Sequence, residues 1–310
     1  MFDFRLLSGV FMGWTLGAND TASVFGLAIT SRAIRLWNAL LVTAFFVVLG
    51  AVLQGQNGIA TYGSLGTQTI HTAFIISLIP SLAVLITATI GLPVSTTQAV
   101  VGAMTGLSLI QGTVNWPTLI KLGVGWMLAP IGTMMLAFFL YWFIARTFEA
   151  WLKRLAVYEA MLKMGFILVG AYGAYSLGAN NVANVSGVWV KTGLLNLEQG
   201  VWFGALAIAL GVLTYSRRVI DTVGNRIVEL DPFPGFIATL SGALTLHVYA
   251  VAGIPVSASQ AVVGAVIGIG LVKGVQTVQR RTVLQILLAW FVVPTLTILL
   301  SMLLFTLFPA

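Results

Sequence analysis

Ten apolar runs occupy most of the chain, at about residues 6–30, 36–54, 73–92, 94–112, 119–145, 164–189, 199–215, 236–254, 256–273 and 283–308. A helix needs about 20 apolar residues to cross the hydrocarbon core of a bilayer. The pattern therefore predicts an all-α, polytopic membrane protein of about ten hydrophobic segments. Five runs lie on each side of a charged stretch, Arg146 to Lys163, which reads RTFEAWLKRLAVYEAMLK. Its pattern is that of an amphipathic helix along the membrane surface, although a charge run is more often a plain solvated connector.

Composition fixes the solvent. Hydrophobic residues make up 59% of the 310 and charged residues 7%. A soluble domain carries roughly a quarter charged residues, so lipid is the solvent for most of this chain. The net charge of +7 would suit nucleic acid, but the charges fall in short connections between apolar runs. That is a topology signal rather than a binding patch. The absence of cysteine excludes disulfides and thiolate metal sites. Met1 to Arg5 is too short for a signal-peptide leader and lacks a small-residue cleavage site, so the first run reads as a retained span.

The chain repeats itself. GANDTASVFG (Gly17 to Gly26) returns as GANNVANVSG (Gly178 to Gly187), with six of ten positions identical. GLPVSTTQAVVGAMTG (Gly91 to Gly106) returns as GIPVSASQAVVGAVIG (Gly253 to Gly268), with eleven of sixteen identical. Trp126 and Pro130 pair more weakly with Trp290 and Pro294. The offsets of 161, 162 and 164 residues preserve the order of a whole half. Five segments is an odd number, so the second half enters the membrane from the opposite side. The count stays odd if the third and fourth segments form a re-entrant hairpin.

This predicts a first repeat over 1–145, a cytoplasmic linker over 146–163 and a second, inverted repeat over 164–310. Broken helices or hairpins would then meet at the midplane, where such transporters place their site. Alternate assignment of the loops puts Arg5, Lys121 and Lys191 on one side and the other twelve Lys and Arg residues on the opposite side. The basic side is cytoplasmic by the positive-inside rule, which leaves both termini extracytoplasmic.

Both motifs interrupt apolar runs with small and polar residues, and irregular backbone at membrane depth is tolerated only where it lines a protein cavity. Pro93 suits a first helical turn, followed by Ser95, Thr96, Thr97 and Gln98; Pro255, Ser257, Ser259 and Gln260 repeat the arrangement. Two such helix N-termini, with free amides and partial positive charge, could hold a tetrahedral oxyanion from two sides. Asn19, Asp20 and Ser23, with Asn180, Asn181 and Asn184, supply hard oxygen ligands suited to Na⁺. Asp20, Asn19 and Asn180 are the first candidates to touch the ion. Asp20 is the one carboxylate placed within a span away from its ends, and such residues are usually functional.

No Lys or Arg lies in either motif. With a divalent phosphate and ionised Asp20 the site would carry about −3, and two cations would cut this to about −1, a physical reason for obligatory coupling. Gly102 with Gly106 and Gly264 with Gly268 read as helix-packing contacts. His247 reads as a satisfied structural histidine, and His71 falls in an outer loop.

The paired motifs resemble those of the inorganic phosphate transporter family of cation-coupled symporters, whose hallmark is similar to G-A-N-D-V-A-N-x-x-G followed by G-[LI]-P-V-S-x-[ST]-[HQ] in each half. The resemblance implies phosphate held by Ser95, Thr96, Thr97, Gln98, Ser257, Ser259 and Gln260. It implies Na⁺ or H⁺ as coupling ion at Asn19, Asp20, Asn180, Asn181 and Asn184, no other cofactor, a plasma-membrane location and a homodimer. Three departures from the pattern matter: Asn181 stands where Asp is usual, Ser23 where Asn is usual, and Gln98 and Gln260 where many members have His. The family also includes sulfate carriers, so the alternative substrate is sulfate or another tetrahedral oxyanion. An intramembrane enzyme is the remote alternative; it would need a nucleophile–base pair or metal cluster that one carboxylate and two scattered histidines do not supply.

Overall fold

In the computed structural model of the chain, residues 3–30, 33–90, 94–151, 155–226, 231–273 and 280–309 are described. Gly91 and Pro93 of the first hairpin motif lie outside them, as do Arg32, Lys153 and Arg154 of the twelve basic residues assigned to one side. The described residues form eleven helices and no strand. The first half holds α1 (Leu6–Thr30), α2 (Leu36–Gln54), α3 (Gln56–Gly63), α4 (Ile70–Ile90), α5 (Thr96–Gln111) and α6 (Trp116–Trp151). The second holds α7 (Leu155–Lys191), α8 (Leu197–Arg226), α9 (Pro232–Val251), α10 (Ala258–Lys273) and α11 (Arg280–Leu307).

Among these, seven are long and apolar enough to cross a membrane: α2, α4, α6, α7, α8, α9 and α11. That is fewer full spans than the ten apolar runs suggest. The reason is physical: α5 and α10 have 16 residues each, which at 1.5 Å per residue is about 24 Å, short of a core about 30 Å thick. The 25 residues of α1 form one unbroken helix, long enough to span, but the polar Asn19–Asp20 motif makes it less apolar than the seven. The described residues of the stretch 146–163 belong to the end of α6, which runs to Trp151, and to the start of α7 at Leu155.

The molecule is apolar outside and polar at its centre. Phe291 is 74% exposed and Met127 69%, while Asn19, Asp20, Thr96, Asn180, Asn181 and Gln260 are all buried. Such an inverted distribution is stable only when hydrocarbon surrounds the exposed side chains.

Besides α7 against α9 within the second half, the most extensive helix packing is in four pairs: α1 with α8, α2 with α7, α5 with α11 and α6 with α10. Each of these four joins one half to the other, and the contacts recur between equivalent positions. A Cβ on Gly17 would overlap the carbonyl oxygen of Ile208, and one on Gly178 would overlap that of Val47, both partners displaced by the 161-residue offset. A Cβ on Gly102 would collide with Pro294, and one on Gly264 with Pro130. Small residues let backbones approach closely where lipid gives no hydrophobic drive for association.

Helix α4 leads to α5, and α9 to α10, as two hairpins whose open ends are pinned. Ser108 on α5 donates to the Leu65 carbonyl at 2.9 Å, and Lys273 at the end of α10 pairs with Asp231 before α9 at 2.7 Å. At the closed end of the second hairpin, Gly253 has φ +64°. Its amide and that of Ile254 bond the carbonyls of Ala250 and Tyr249, the pattern that terminates a helix on a left-handed residue. The chain then runs on to Ser257 and starts α10.

Candidate functional site

The two hairpin tips touch. Thr97 Oγ1 donates to the carbonyl of Val256, and Ser259 Oγ donates to the carbonyl of Val94, each at 3.3 Å. Ser95 and Ser257 each cap the helix that follows them. The Ser95 oxygen accepts the Gln98 amide at 3.2 Å and the Ser257 oxygen accepts the Gln260 amide at 3.2 Å. Both are helix N-caps, satisfying one amide that the first turn would leave open. Ser257 and Ser259 also share a hydrogen bond of 2.9 Å. The side-chain oxygens of Gln98 and Gln260 are buried without a partner.

Around the tips lie the two Asn motifs, on α1 and α7. Asn19 Nδ2 donates to the Val94 carbonyl at 3.2 Å and to Asp20 Oδ1 at 2.8 Å. Asn180 Nδ2 repeats both bonds, to the Val256 carbonyl at 2.7 Å and to Asn181 Oδ1 at 2.8 Å. Thr96 adds a long bond of 3.5 Å to Asp20 Oδ1. Asn181 Nδ2 donates to Asp20 Oδ2 at 2.9 Å, joining equivalent positions of the two motifs. Asn184 Nδ2 reaches both Asn181 Oδ1, at 3.1 Å, and Thr97 Oγ1, at 3.2 Å.

The symmetry breaks at one atom. Asn180 Oδ1 accepts the backbone amide of Val256 at 3.1 Å, whereas Asn19 Oδ1 is buried with no partner. A free amide oxygen therefore sits on the residue next to the one carboxylate. A buried acceptor without a donor costs about 1–3 kcal/mol, so this atom is suited to a cation that would be its partner. Among the described residues no three His, Cys, Asp or Glu side chains gather. The donor set is that of a hard ion bound by oxygen rather than of a transition metal.

Of the expected site residues, twelve are in this network or at its edge and Ser23 is not: it is half-buried and makes none of these bonds. Two residues were missed. Tyr62 on α3 is buried and its hydroxyl donates to Asn184 Oδ1. Trp126 on α6 donates to the Pro255 carbonyl at 3.1 Å and braces the second tip. Trp126 carried a weak signal through its pairing with Trp290; Tyr62 carried none, since its equivalent position is Val223. His71 lies in the first turn of α4, not in a loop, and its Nε2 meets the Phe308 carbonyl at 2.8 Å. The His247 ring stacks between Tyr172 and Tyr175 with Nδ1 unpartnered, so it is packed but not satisfied.

A helical bundle that exposes hydrocarbon-loving side chains and buries a net of amides, hydroxyls and one carboxylate at its helix breaks is a multi-pass membrane transport protein. The chain belongs to the phosphate transporter family, whose sequence model matches residues 16–301. It is 31% identical to the sulfate permease CysP of Bacillus subtilis, over 98% of this chain and 87% of that protein. It is 28% identical to a candidate phosphate permease of Pyrococcus abyssi, over 97% of this chain and 96% of the other. Its fold is similar to a solved structure titled as the sodium-dependent phosphate transporter, with a TM-score of 0.87 at 23% identity, covering 98% of this chain and 97% of that one.

Proposed function

We propose that this chain is a secondary active transporter that imports inorganic phosphate together with a cation, using a site at the meeting point of two inverted repeats. The observation that carries this reading is the Asp20–Asn181 hydrogen bond between equivalent residues of the duplicated motif, directly beneath two hairpin tips that contact each other. If the halves are inverted, tips that reach one another must lie at mid-depth, because two spanning hairpins would end on opposite faces. The cross-half pairing of glycine contacts supports the same arrangement.

The cation sits at Asp20 with the free oxygen of Asn19. The oxyanion sits against the first turns of α5 and α10, contacting Thr96, Thr97 and Ser259 and the Gln98 and Gln260 side chains. Ser95 and Ser257 hold those turns in shape. With no Lys or Arg in the motifs, the anion depends on helix-end amides and on the co-bound cation for its positive charge. Alternating access follows if the hairpins and the α1–α2–α7–α8 scaffold move against each other around this site. The sodium-dependent phosphate transporter of the same fold supports Na⁺ as coupling ion. Both termini are proposed to face outward in the plasma membrane, by the twelve-to-three bias of basic residues.

A second reading, sulfate as substrate, is favoured by the 31% identity to a sulfate permease and by the neutral Asn181. A divalent tetrahedral anion that cannot be protonated suits a site with one carboxylate. Binding of radiolabelled phosphate to the purified protein tests the choice. Phosphate binding that requires Na⁺, is lost in Asp20→Asn and resists excess sulfate supports the first reading. Displacement by an equal concentration of sulfate supports the second.

A further inference from the structure

A cavity of about 630 Å³ lies outside the transport site, between the end of α1, the start of α2 and the first turns of α7. Phe25, Ile34, Val42 and Ile167 give it apolar walls, and Arg35 and Lys163 bring two cations to it. No Asp or Glu is among its lining residues. Both cations are exposed, as are Leu41 at 60% and Trp37 at 64% beside it. None of the lining residues comes from α4, α5, α9 or α10, the hairpins that build the transport site. The cavity is therefore set against α1, α2 and α7, apart from the hairpins.

We propose that this cavity is a binding site for an anionic phospholipid, with acyl chains against the apolar wall and the headgroup phosphate between Arg35 and Lys163. The argument for this occupant is charge and polarity together. An apolar recess with two cations and no acid among its lining residues matches a molecule with a hydrocarbon body and an anionic head. A free oxyanion has no use for the apolar volume, and a zwitterionic lipid leaves the two cations half matched. Arg35 and Lys163 also belong to the side that holds twelve of the fifteen basic residues, and basic pockets between helices on that side are suited to acidic headgroups. Trp37 has the amphipathic ring that settles at the headgroup level. The second half does not reproduce the site: Asn196 stands at the position equivalent to Arg35. The site would therefore make one end of one half answer to lipid composition while its repeat does not.

Native mass spectrometry of the full chain in detergent, titrated with dioleoyl phosphatidylglycerol and separately with dioleoyl phosphatidylcholine, tests this. One copy of phosphatidylglycerol should bind per chain about thirtyfold more tightly than phosphatidylcholine, the scale expected of two interfacial cations. Arg35→Gln with Lys163→Gln should reduce that preference to near unity, while Lys121→Gln with Lys191→Gln, equal in charge change, should leave it intact. Val42→Trp, which fills the cavity and keeps both cations, should also abolish tight binding. Equal affinity for the two lipids in the wild-type chain, survival of the preference in the Arg35/Lys163 or Val42 variant, or displacement of the lipid by millimolar inorganic phosphate would each overturn the proposal. The last result would mark a free-anion site.

Discussion

Asp20 and Asn181 are the same position in two copies of one motif, and their difference organises the centre of the molecule. Two carboxylates there would face each other at hydrogen-bond distance and repel strongly in a low-dielectric surrounding. Asn181 instead donates to Asp20 Oδ2 at 2.9 Å and turns its own oxygen to Asn180 and Asn184. In the proposed site one cation then balances the carboxylate. Asp20→Asn should lower cation-driven phosphate uptake by at least about a hundredfold, since it removes the charge that the ion answers; uptake within a factor of about three of wild type would refute the assignment. Asn181→Asp should make uptake more steeply dependent on cation concentration, with the apparent cation number rising by about one. An unchanged dependence would mean that the second copy does not face the ion.

Tyr62 belongs to the same scale. Tyr62→Phe leaves the Asn184 side-chain oxygen without its donor, which for a buried group costs about 1–3 kcal/mol. The melting temperature in detergent should fall, and transport with it. The sequence made the two motifs readable because duplication wrote them twice, with the Asn, Asp, Ser, Thr and Gln residues standing out against apolar neighbours. It did not make Tyr62 readable, because α3 is a short helix in an unrepeated connection and a lone aromatic there looks like packing. Nor did it separate Ser95 and Ser257, whose oxygens cap their own helices, from Thr97 and Ser259, whose hydroxyls cross to the opposite tip. That distinction depends on where α5 and α10 begin.

At the scale of the element, hydropathy counts residues and not depth. The runs 94–112 and 256–273 look like spans because they are apolar beyond their first turns, but their helices are short and their N-termini end inside the protein. The break is what the site uses, since only a helix that starts at depth offers unpaired amides there. Glycine spacing was the better guide to packing. Gly264→Val should be severely destabilising, because its Cβ would overlap the Pro130 carbonyl oxygen and α6 lies directly against it. Overpacking of this kind costs about 1–3 kcal/mol or more. Gly123→Ala on the same partner helix meets open space and should be neutral. Yield of monodisperse protein and melting temperature compare the two; equal behaviour would contradict the packing described.

At the scale of the molecule, two five-run halves pack helix against helix, α1 against α8 and α2 against α7, so much of the core is shared between them. The proposed inverted arrangement is testable because the chain contains no cysteine. Single cysteines at Asn115 and Thr192, in the connections after α5 and α7, should both react with a membrane-impermeant thiol reagent in intact cells, and one at Arg35 should not. Labelling of Arg35→Cys and protection of the other two would reverse the orientation.

The central claim is that one carboxylate and two broken-helix tips couple an oxyanion to a cation. Uptake of radiolabelled phosphate into proteoliposomes, with and without an inward Na⁺ gradient and then with excess unlabelled sulfate, tests it most directly. The account predicts accumulation that requires the Na⁺ gradient, is unaffected by sulfate and vanishes in Asp20→Asn. Phosphate movement that ignores every imposed cation gradient, or that persists in Asp20→Asn at the wild-type rate, would contradict it.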